Sequence, residues 1–358
     1  MASLETSPGG VVVRRISNVY WVRAADLEYA CQLRARLRKE QVDVRIGDRV
    51  KIAECDDLNL AAVIEQVLPR TRSLPRPPIS NVDQIVVVFS ADQPVFSPLM
   101  VDRFLVLAGM TDIPAALVVN KRDLVSPECL AAMVEPYKAI GYPVVATSAR
   151  TGEIGALSDL LCDRVSVFAG PSGVGKSSLL NRLDPRLALK AAEVSHRLGR
   201  GRHTTTYASL YPVAGGLVAD SPGYSHLAFP PFDPQGLAWL YPEMALHASD
   251  CRLSDCLHDT EPDCAVKSRA RIAPERYESY LRFVQELAAQ KRTRQARSQK
   301  VESAVKTTGG PQAGKRLVRI DADQRVDSRR TVKQQLAELS TQRAEGAIDE
   351  DHLDEFES

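Results

Sequence analysis

The sequence predicts an α/β fold in which a parallel sheet, covered by helices on both faces, lies between a small β-barrel and a helical C-terminal segment. Three observations lead to this prediction. Buried apolar runs alternate with helical patterns from residue 84 onward, which is typical of a parallel sheet. A glycine-rich loop joins one such run, residues 165–169, to the helical pattern after it. Short β-prone runs at close spacing fill the first 70 residues.

Composition limits the classes of protein that this chain can represent. Its 358 residues allow two or three domains, and the net charge of +1 excludes a uniformly basic nucleic-acid-binding surface. The seven cysteines are an odd number and no signal run opens the chain, so we expect a reducing, cytoplasmic location without disulfides. No window approaches 18 apolar residues, so no membrane span or membrane partner is expected.

The N-terminal segments predict a barrel. Residues 1–10 are small and polar and are expected to be disordered. Residues 11–70 then predict an OB-like barrel, the economical closed fold for short strands at this size. The β-prone pieces are residues 11–15, 19–24, 34–39, 42–46, 50–53 and 61–68. Two interpretations stay open for its aromatic and basic side chains, which either form an RNA-binding face or belong partly to the core: Arg14, Arg15, Tyr20, Trp21 and Arg23.

A change of pattern marks the next domain. Residues 71–80 are predicted to be an extended linker, because four prolines and three arginines crowd into residues 69–78. Residues 81–235 then predict the α/β domain. Its expected strands are residues 84–89, 115–119, 144–147 and 165–169, and its expected helices are residues 99–108 and 128–139.

The loop after residue 169 predicts a polyphosphate site. Glycines at 173 and 175 let backbone N–H groups point at phosphate oxygens, and the following helix presents its positive N-terminus to them. Lys176 is expected to neutralise the outer phosphates and Ser177 to ligate Mg²⁺. The alternative is a glycine-rich turn with an exposed lysine. The predicted contacts are Gly170, Pro171, Ser172, Gly173, Val174, Gly175, Lys176, Ser177 and Ser178.

Further polar residues follow other strands and predict a guanine site. Asp123 offers a carboxylate to the N1–H and 2-amino groups of guanine, a donor pair that adenine lacks. Taken alone, this short motif is also typical of a helix-capping turn. The predicted base contacts are Asn120, Lys121, Arg122 and Asp123, joined by Ser148 and Ala149, which can direct a backbone N–H to the guanine O6.

Two segments after the phosphate loop complete the predicted site. Asp220 is expected to hold Mg²⁺ through water, and the Gly223 N–H to meet the γ-phosphate. Residues 199–206 form a basic, threonine-rich loop in which Thr205 is the second expected Mg²⁺ ligand. The glutamine that usually orients water is absent after Gly223, so we assign that catalytic role to His203, with His226 as the alternative. The other interpretation is that His203 is only an exposed polar residue of this loop and has no catalytic role.

A cysteine-rich segment predicts a structural metal site. Three thiols and one imidazole give a closed tetrahedral set for Zn²⁺: Cys251, Cys256, His258 and Cys264. His247 is the alternative ligand. The other interpretation is that the four residues are unrelated and bind no metal. Residues 236–290 are predicted to be a helical domain around this site. Residues 291–358 are expected to be a mostly disordered charged tail, either touching RNA or simply solvated.

The guanine motif precedes the phosphate loop here, whereas in most GTPases it follows it, so the α/β domain is predicted to be circularly permuted. With the cysteine cluster and residues 201–205, this order resembles the small ribosomal subunit biogenesis GTPases of the RsgA family, also called YjeQ or EngC, over residues 11–290. The resemblance implies hydrolysis of GTP to GDP with Mg²⁺, one zinc ion at the cysteine cluster, and a 30S subunit that stimulates the reaction during late assembly.

The resemblance also implies contact with 16S rRNA, and a monomer is expected. The rival interpretation is an RNA-binding assembly factor that senses GTP with negligible turnover. A P-loop kinase or ATPase is a weaker rival, because Asp123 favours guanine over adenine.

Overall fold

The computed structural model describes residues 9–75, 77–187, 209–220, 228–302, 306–307 and 316–317. The chain divides into two compact units, Met1–Ala288 and Ala289–Ser358. The predicted residues His203, Thr205, Gly223 and His226 lie outside the described residues, and so do residues 1–8 and most of the tail. None of the described helices is both long and apolar enough to cross a membrane.

The N-terminal strands close into a five-stranded barrel with the order β1-β2-β3-β5-β4, as the sequence predicts. Strands β3 and β5 pair in parallel and the other pairs are antiparallel. A short helix, α1, lies between β3 and β4. The elements are β1 (Gly9–Ile16), β2 (Val19–Ala24), β3 (Leu27–Leu33), α1 (Ala35–Lys39), β4 (Arg49–Asp56) and β5 (Ala61–Val67).

The barrel differs from the sequence prediction in three places. β3 was not expected as a strand, and residues 35–39 are helical because alanine, leucine, arginine and lysine all favour helices. Within residues 42–46, only Ile46 makes a β-bridge, to Ile79. Tyr20 is 5% exposed in the barrel core, and the Arg14 guanidinium lies 4.4 Å from the centre of the Trp21 ring. Tyr20 therefore belongs to the barrel core, whereas Trp21 is only partly buried.

The linker prediction needs correction. Within residues 71–75 and 77–80, β6 (Ser73–Pro75) pairs with β7 (Pro78–Ser80) in a hairpin, and Leu74 and Ile79 are buried. Pro75 and Pro78 pair at the turn end of the hairpin, so their missing N–H groups cost few hydrogen bonds. The proline content correctly argued against a central strand of a sheet. It did not exclude a two-stranded hairpin, in which both strands are edge strands.

The central sheet has six strands in the order β10-β9-β8-β11-β13-β12, all parallel except β12. Alternate residues of β8 face two separate apolar layers. Val87 and Phe89 pack with α2 and α3, while Val86 and Val88 pack with α4 and α5. The strands are β8 (Gln84–Ser90), β9 (Ala115–Asn120), β10 (Val144–Ala146), β11 (Val165–Ala169), β12 (Leu210–Val213) and β13 (Gly216–Asp220). The helices are α2 (Pro98–Gly109), α3 (Pro127–Lys138), α4 (Gly155–Leu161) and α5 (Lys176–Leu183).

A C-terminal group of helices follows, which we call the helical layer. It contains a 3₁₀ helix (Pro234–Leu240), α6 (Pro242–Ala248), α7 (Ala265–Arg269) and α8 (Pro274–Glu302). α8 continues past residue 290, into residues expected to be disordered, because glutamine, lysine, arginine and alanine favour helices even without an apolar face. Two short strands, β14 (Lys306–Thr307) and β15 (Arg316–Leu317), pair beyond it.

Buried charges join the helical layer to α2. Arg276 of α8 donates to Asp102 of α2, and its Nε lies 2.7 Å from Glu243 of α6. The Arg276 guanidinium also faces the rings of Tyr137 and Tyr241, at 5.3 and 5.0 Å. Because a buried charge is stable only when it is paired, this cluster fixes the layer to the sheet domain.

Candidate nucleotide site and metal centre

Four strands of the central sheet end at the same edge, and the predicted site residues follow them. Asn120 is the last residue of β9, Ser148 follows β10, and Gly170 follows β11. Asp220 ends β13, where its backbone lies opposite Phe168 of β11. The carboxyl edge of a parallel sheet is where α/β proteins bind ligands, so permutation of the chain leaves the site residues in one place.

The phosphate loop depends on two glycines. Gly170 has φ +138°, and a Cβ atom there would lie 2.1 Å from the Val88 carbonyl oxygen. Gly175 has φ +97° at the start of α5, and a Cβ atom there would lie 2.4 Å from the Asn120 amide nitrogen. Only glycine fits either position. The loop is therefore shaped by strand β8 and by the guanine motif as well as by its own sequence.

Side chains hold the loop in that shape. Lys176 Nζ donates to the carbonyl oxygens of Gly170 and Pro171, both at 2.8 Å, which keeps its charge inside the loop. Lys121 Nζ donates to the Gly173 carbonyl oxygen at 2.9 Å. The helix dipole of α5 adds partial positive charge at the same point. The loop thus offers backbone N–H groups and two ammonium groups to an anion.

Asn120 braces three segments of the site. It is 1% exposed, and its amide nitrogen donates to the Val174 carbonyl oxygen at 2.9 Å. Its side-chain oxygen accepts from Thr147 Oγ1 at 3.3 Å and from the Ala149 N–H at 3.2 Å. Asn120 therefore connects the phosphate loop to both base-site segments. Asn120 also lines a cavity beside these segments.

Asp123 is an ionised acceptor at the wall of the site. Its side chain is 10% exposed; Ser148 Oγ donates to Oδ1, and Arg150 Nε and Nη2 both lie near Oδ2, at 2.8 and 2.6 Å. The hydrogen bond from Ser148 is the main cause that lowers the pKa of Asp123, and Arg150 lowers it further. The carboxylate therefore carries a full negative charge at neutral pH.

A cavity of about 590 Å³ lies between the end of β9, the segment after β10 and the start of α5. Its lining includes six predicted residues: Asn120, Lys121, Asp123, Ala149, Gly175 and Ser178. The predicted residues Arg122, Ser148, Gly170–Val174, Lys176 and Ser177 are not part of the lining. The Arg122 side chain pairs with Glu153 at 2.7 Å. A larger cavity of about 670 Å³ lies by the amino ends of the strands, beside the barrel. None of the predicted nucleotide or metal residues lines it, whereas Arg23 of the barrel does.

Four lining residues were missed from the sequence: Leu124, Arg150, Asn181 and Arg182. Asn181 and Arg182 follow Ser178 by three and four positions on α5, so helical spacing from the phosphate loop is a signal for both. Arg150 follows Ala149 directly. No spacing rule marks it, because its importance comes from its contact with Asp123, which lies 27 positions earlier.

The cysteine-rich segment brings four metal-ligand atoms together. Cys251, Cys256, His258 and Cys264 have their ligand atoms within 4.8 Å of one another, and His247 is not part of this group. The His258 Nδ1 atom lies 3.4 to 3.5 Å from the three sulfurs, and two of the sulfurs lie 3.9 Å apart. Tetrahedral zinc with bonds of about 2.3 Å to sulfur separates its ligand atoms by about 3.6–3.8 Å. The residues therefore fit one zinc ion.

Neighbouring groups hold this set in place. Tyr277 and Tyr280 of α8 donate to the carbonyl oxygens of His258 and Leu257, at 2.8 and 2.9 Å. Glu261 accepts from the backbone N–H groups of Leu257 and Asp259. Burial lowers the pKa of His258, which favours the neutral imidazole that a metal requires.

Comparisons with known proteins agree with this architecture. The RsgA GTPase family profile matches residues 67–230. The small ribosomal subunit biogenesis GTPase RsgA of Geobacillus thermodenitrificans is 42% identical over 289 residues, which covers 79% of this chain and 98% of that protein. The protein of the same name from Carboxydothermus hydrogenoformans is 42% identical over 290 residues, covering 79% and 99%.

Solved structures are also similar. The crystal structure of YloQ, described as a circularly permuted GTPase, is 34% identical with a TM-score of 0.67, and the match covers 81% of this chain and 99% of YloQ. YjeQ from Thermotoga maritima is 35% identical with a TM-score of 0.66, covering 78% and 98%. With the permuted strand order, the glycine-shaped phosphate loop and the Cys₃His cluster, these similarities show that the chain belongs to the RsgA family of circularly permuted GTPases.

Proposed function

We propose that this chain hydrolyses GTP to GDP and phosphate during late maturation of the 30S ribosomal subunit. The observation that carries the proposal is the position of Asp123, an ionised carboxylate that lines one cavity with Gly175 of the phosphate loop. Guanine carries two adjacent N–H donors that a carboxylate accepts, and adenine does not. The names of the relatives, which describe small ribosomal subunit biogenesis GTPases, support the biological role.

The chain's own residues bind and orient the nucleotide in this proposal. The phosphate loop wraps the phosphates, Lys176 balances their charge, and Asp123 selects the base. Ser177, Thr205 and Asp220 are the proposed Mg²⁺ contacts, and the Gly223 N–H meets the γ-phosphate. Mg²⁺, when bound with GTP, neutralises negative charge that develops on the phosphate oxygens.

His203 is the proposed water-orienting residue. Attack forms a bond from the water oxygen to the γ-phosphorus, the bond from that phosphorus to the β–γ bridging oxygen breaks, and GDP leaves. A neutral imidazole accepts a hydrogen bond from the attacking water at neutral pH. Replacing His203 by alanine should leave GTP affinity nearly unchanged while lowering subunit-stimulated turnover on the order of 10²-fold or more. If this variant keeps the wild-type stimulated turnover, another residue orients the water, and His226→Ala is the next variant to test.

The Cys₃His cluster is proposed to hold one structural zinc ion. Four protein ligands leave no open position for water, so the ion would stabilise the helical layer and take no part in hydrolysis. We further propose that the 30S subunit and its 16S rRNA bind this protein and stimulate hydrolysis, that the protein acts as a monomer, and that it works in the cytoplasm, where subunits assemble.

Phosphate release tests the proposal directly. We expect purified protein with Mg²⁺ to release phosphate from GTP and much less from ATP, and purified small subunits to raise the GTP rate. Release from ATP at an equal rate would contradict the guanine assignment. GTP binding with no release in the presence of subunits would instead favour the rival function, an RNA-binding assembly factor that only senses GTP.

A further inference from the structure

The carboxylate that is proposed to recognise guanine already has three donors. Ser148 Oγ donates to Oδ1 of Asp123, while Arg150 directs Nε and Nη2 at Oδ2, at 2.8 and 2.6 Å. A carboxylate offers about four lone-pair positions, two on each oxygen. In this arrangement the two contacts from Arg150 occupy Oδ2, whereas Ser148 is the side-chain donor to Oδ1.

Guanine needs both carboxylate oxygens. Its N1–H and 2-amino groups lie side by side and pair with the two oxygens of a carboxylate, one donor to each. The donor that meets Oδ1 approaches an oxygen that Arg150 does not occupy, and Ser148 can stay in place. The donor that meets Oδ2 must replace a hydrogen bond from Arg150. Recognition of guanine therefore requires Arg150 to withdraw while Ser148 remains.

Exposure makes that exchange possible. The Arg150 side chain is 74% exposed and that of Asp123 is 10% exposed, so the arginine can turn into solvent while the aspartate stays in the wall of the site. Ser148 is fully buried, and its Oγ also accepts from the Thr151 N–H at 3.1 Å, which fixes its position. The fixed partner orients the carboxylate and the exposed partner is the one that leaves.

We propose that Arg150 is an internal competitor of guanine for Asp123 and thereby sets the affinity of the site for guanine nucleotides. The inference rests on the proposed function. Arg150 acts here through Asp123, so it is a positioning residue: by pairing with the carboxylate it stabilises the form of the site that holds no base. Removing the competitor should tighten binding, which is the reverse of what loss of an ordinary binding residue does.

The test compares GDP affinity in wild type and in Arg150→Met, which keeps an unbranched apolar side chain and loses the charge. We expect the dissociation constant for GDP, measured by titration calorimetry, to fall about two- to fivefold, the scale of an exposed ion pair. Inosine diphosphate lacks the 2-amino group and needs only one carboxylate oxygen, which can be Oδ1, so its affinity should change little. The gain for GDP should shrink at high salt, because salt weakens the competing pair in wild type.

A double-mutant cycle and a control sharpen the result. In an Asp123→Asn background, Arg150→Met should no longer tighten GDP binding, because the charge pair is already gone. Arg282→Met removes another exposed pair, with Glu278 on α8, and should leave GDP affinity at the wild-type value. A GDP affinity that is unchanged or weaker in Arg150→Met, or equal gains for GDP and inosine diphosphate, would overturn the inference. Failure of wild type itself to bind GDP would instead overturn the proposed function.

Discussion

Two arginine–aspartate pairs define two regions of this molecule with opposite properties. At the nucleotide edge, the side chains of Arg150 and Asp123 are 74% and 10% exposed, and hydrogen bonds lower the pKa of the aspartate. Between α2 and the helical layer, Arg276 and Asp102 are 3% and 0% exposed, and burial raises the pKa of the aspartate to about 7. The residue types are identical, so the difference comes from solvent access.

Solvent access decides whether a pair can exchange partners. Water and ligand donors can replace Arg150 at Asp123, because the arginine is solvated when it leaves. Nothing comparable can replace Arg276, since removing it would leave Asp102 and Glu243 buried without their cation. The nucleotide edge is therefore suited to binding and release, and the helical layer to holding one arrangement.

Loss of the proposed zinc ion should have the largest effect, and it should unfold the helical layer. We expect Cys251→Ser and Cys264→Ser each to release about one equivalent of zinc and to unfold residues near 245–290, while GTP binding persists, because a structural site contributes folding energy locally. Metal analysis, limited proteolysis and GTP titration measure the three effects. Cys129→Ser, an exposed thiol outside the cluster, is the control. A metal-free wild-type protein that stays folded in this region would contradict the prediction.

Removal of the buried arginine should have the next largest effect. Arg276→Met should lower the free energy of unfolding by about 3–5 kcal/mol, since it leaves buried carboxylates unpaired. Arg282→Met, on an exposed face of the same helix, should cost about 0.5 kcal/mol or less. Chemical denaturation measures both variants. A similar loss of unfolding free energy in Arg276→Met and Arg282→Met would contradict the prediction that the buried ion pair is the more important one.

The raised pKa of Asp102 predicts a dependence of stability on pH. Burial is the largest influence on the pKa of Asp102 and raises it, as does Glu243, whereas Arg276, Ser279 and Tyr137 act to lower it. Between about pH 4 and 7 the folded state keeps a proton on Asp102 that the unfolded state has lost. The free energy of unfolding therefore falls as the pH rises from about 4 to 7, and the stabilisation by this proton is complete below pH 4 and lost above pH 7. The slope is at most about 1.4 kcal/mol per pH unit. Asp102→Asn should flatten it relative to wild type, and an equal slope in both would contradict the assignment.

Local patterns in the sequence predicted the parts of the site that local chemistry determines. Strand ends, phosphate-loop glycines and the four metal-ligand residues are encoded within short segments, and the structure brings each set together. The pair of Arg276 and Asp102 spans 174 positions, and Arg150 meets Asp123 from another strand end, so neither contact follows from spacing or periodicity. Helix α4 was also missed, because a segment of seven residues is too short to show a helical period.

The base preference of the site tests the central claim most directly. Replacing Asp123 by asparagine puts an amide N–H₂ against the 2-amino group of guanine, whereas the 2-oxo group of xanthine accepts from it. We predict that Asp123→Asn binds GTP on the order of tenfold or more weakly than wild type and binds xanthosine triphosphate more tightly, with thermal unfolding unchanged. Titration of both nucleotides against both proteins gives the answer. Unchanged GTP affinity in the variant would contradict the assignment of Asp123 and with it the guanine site.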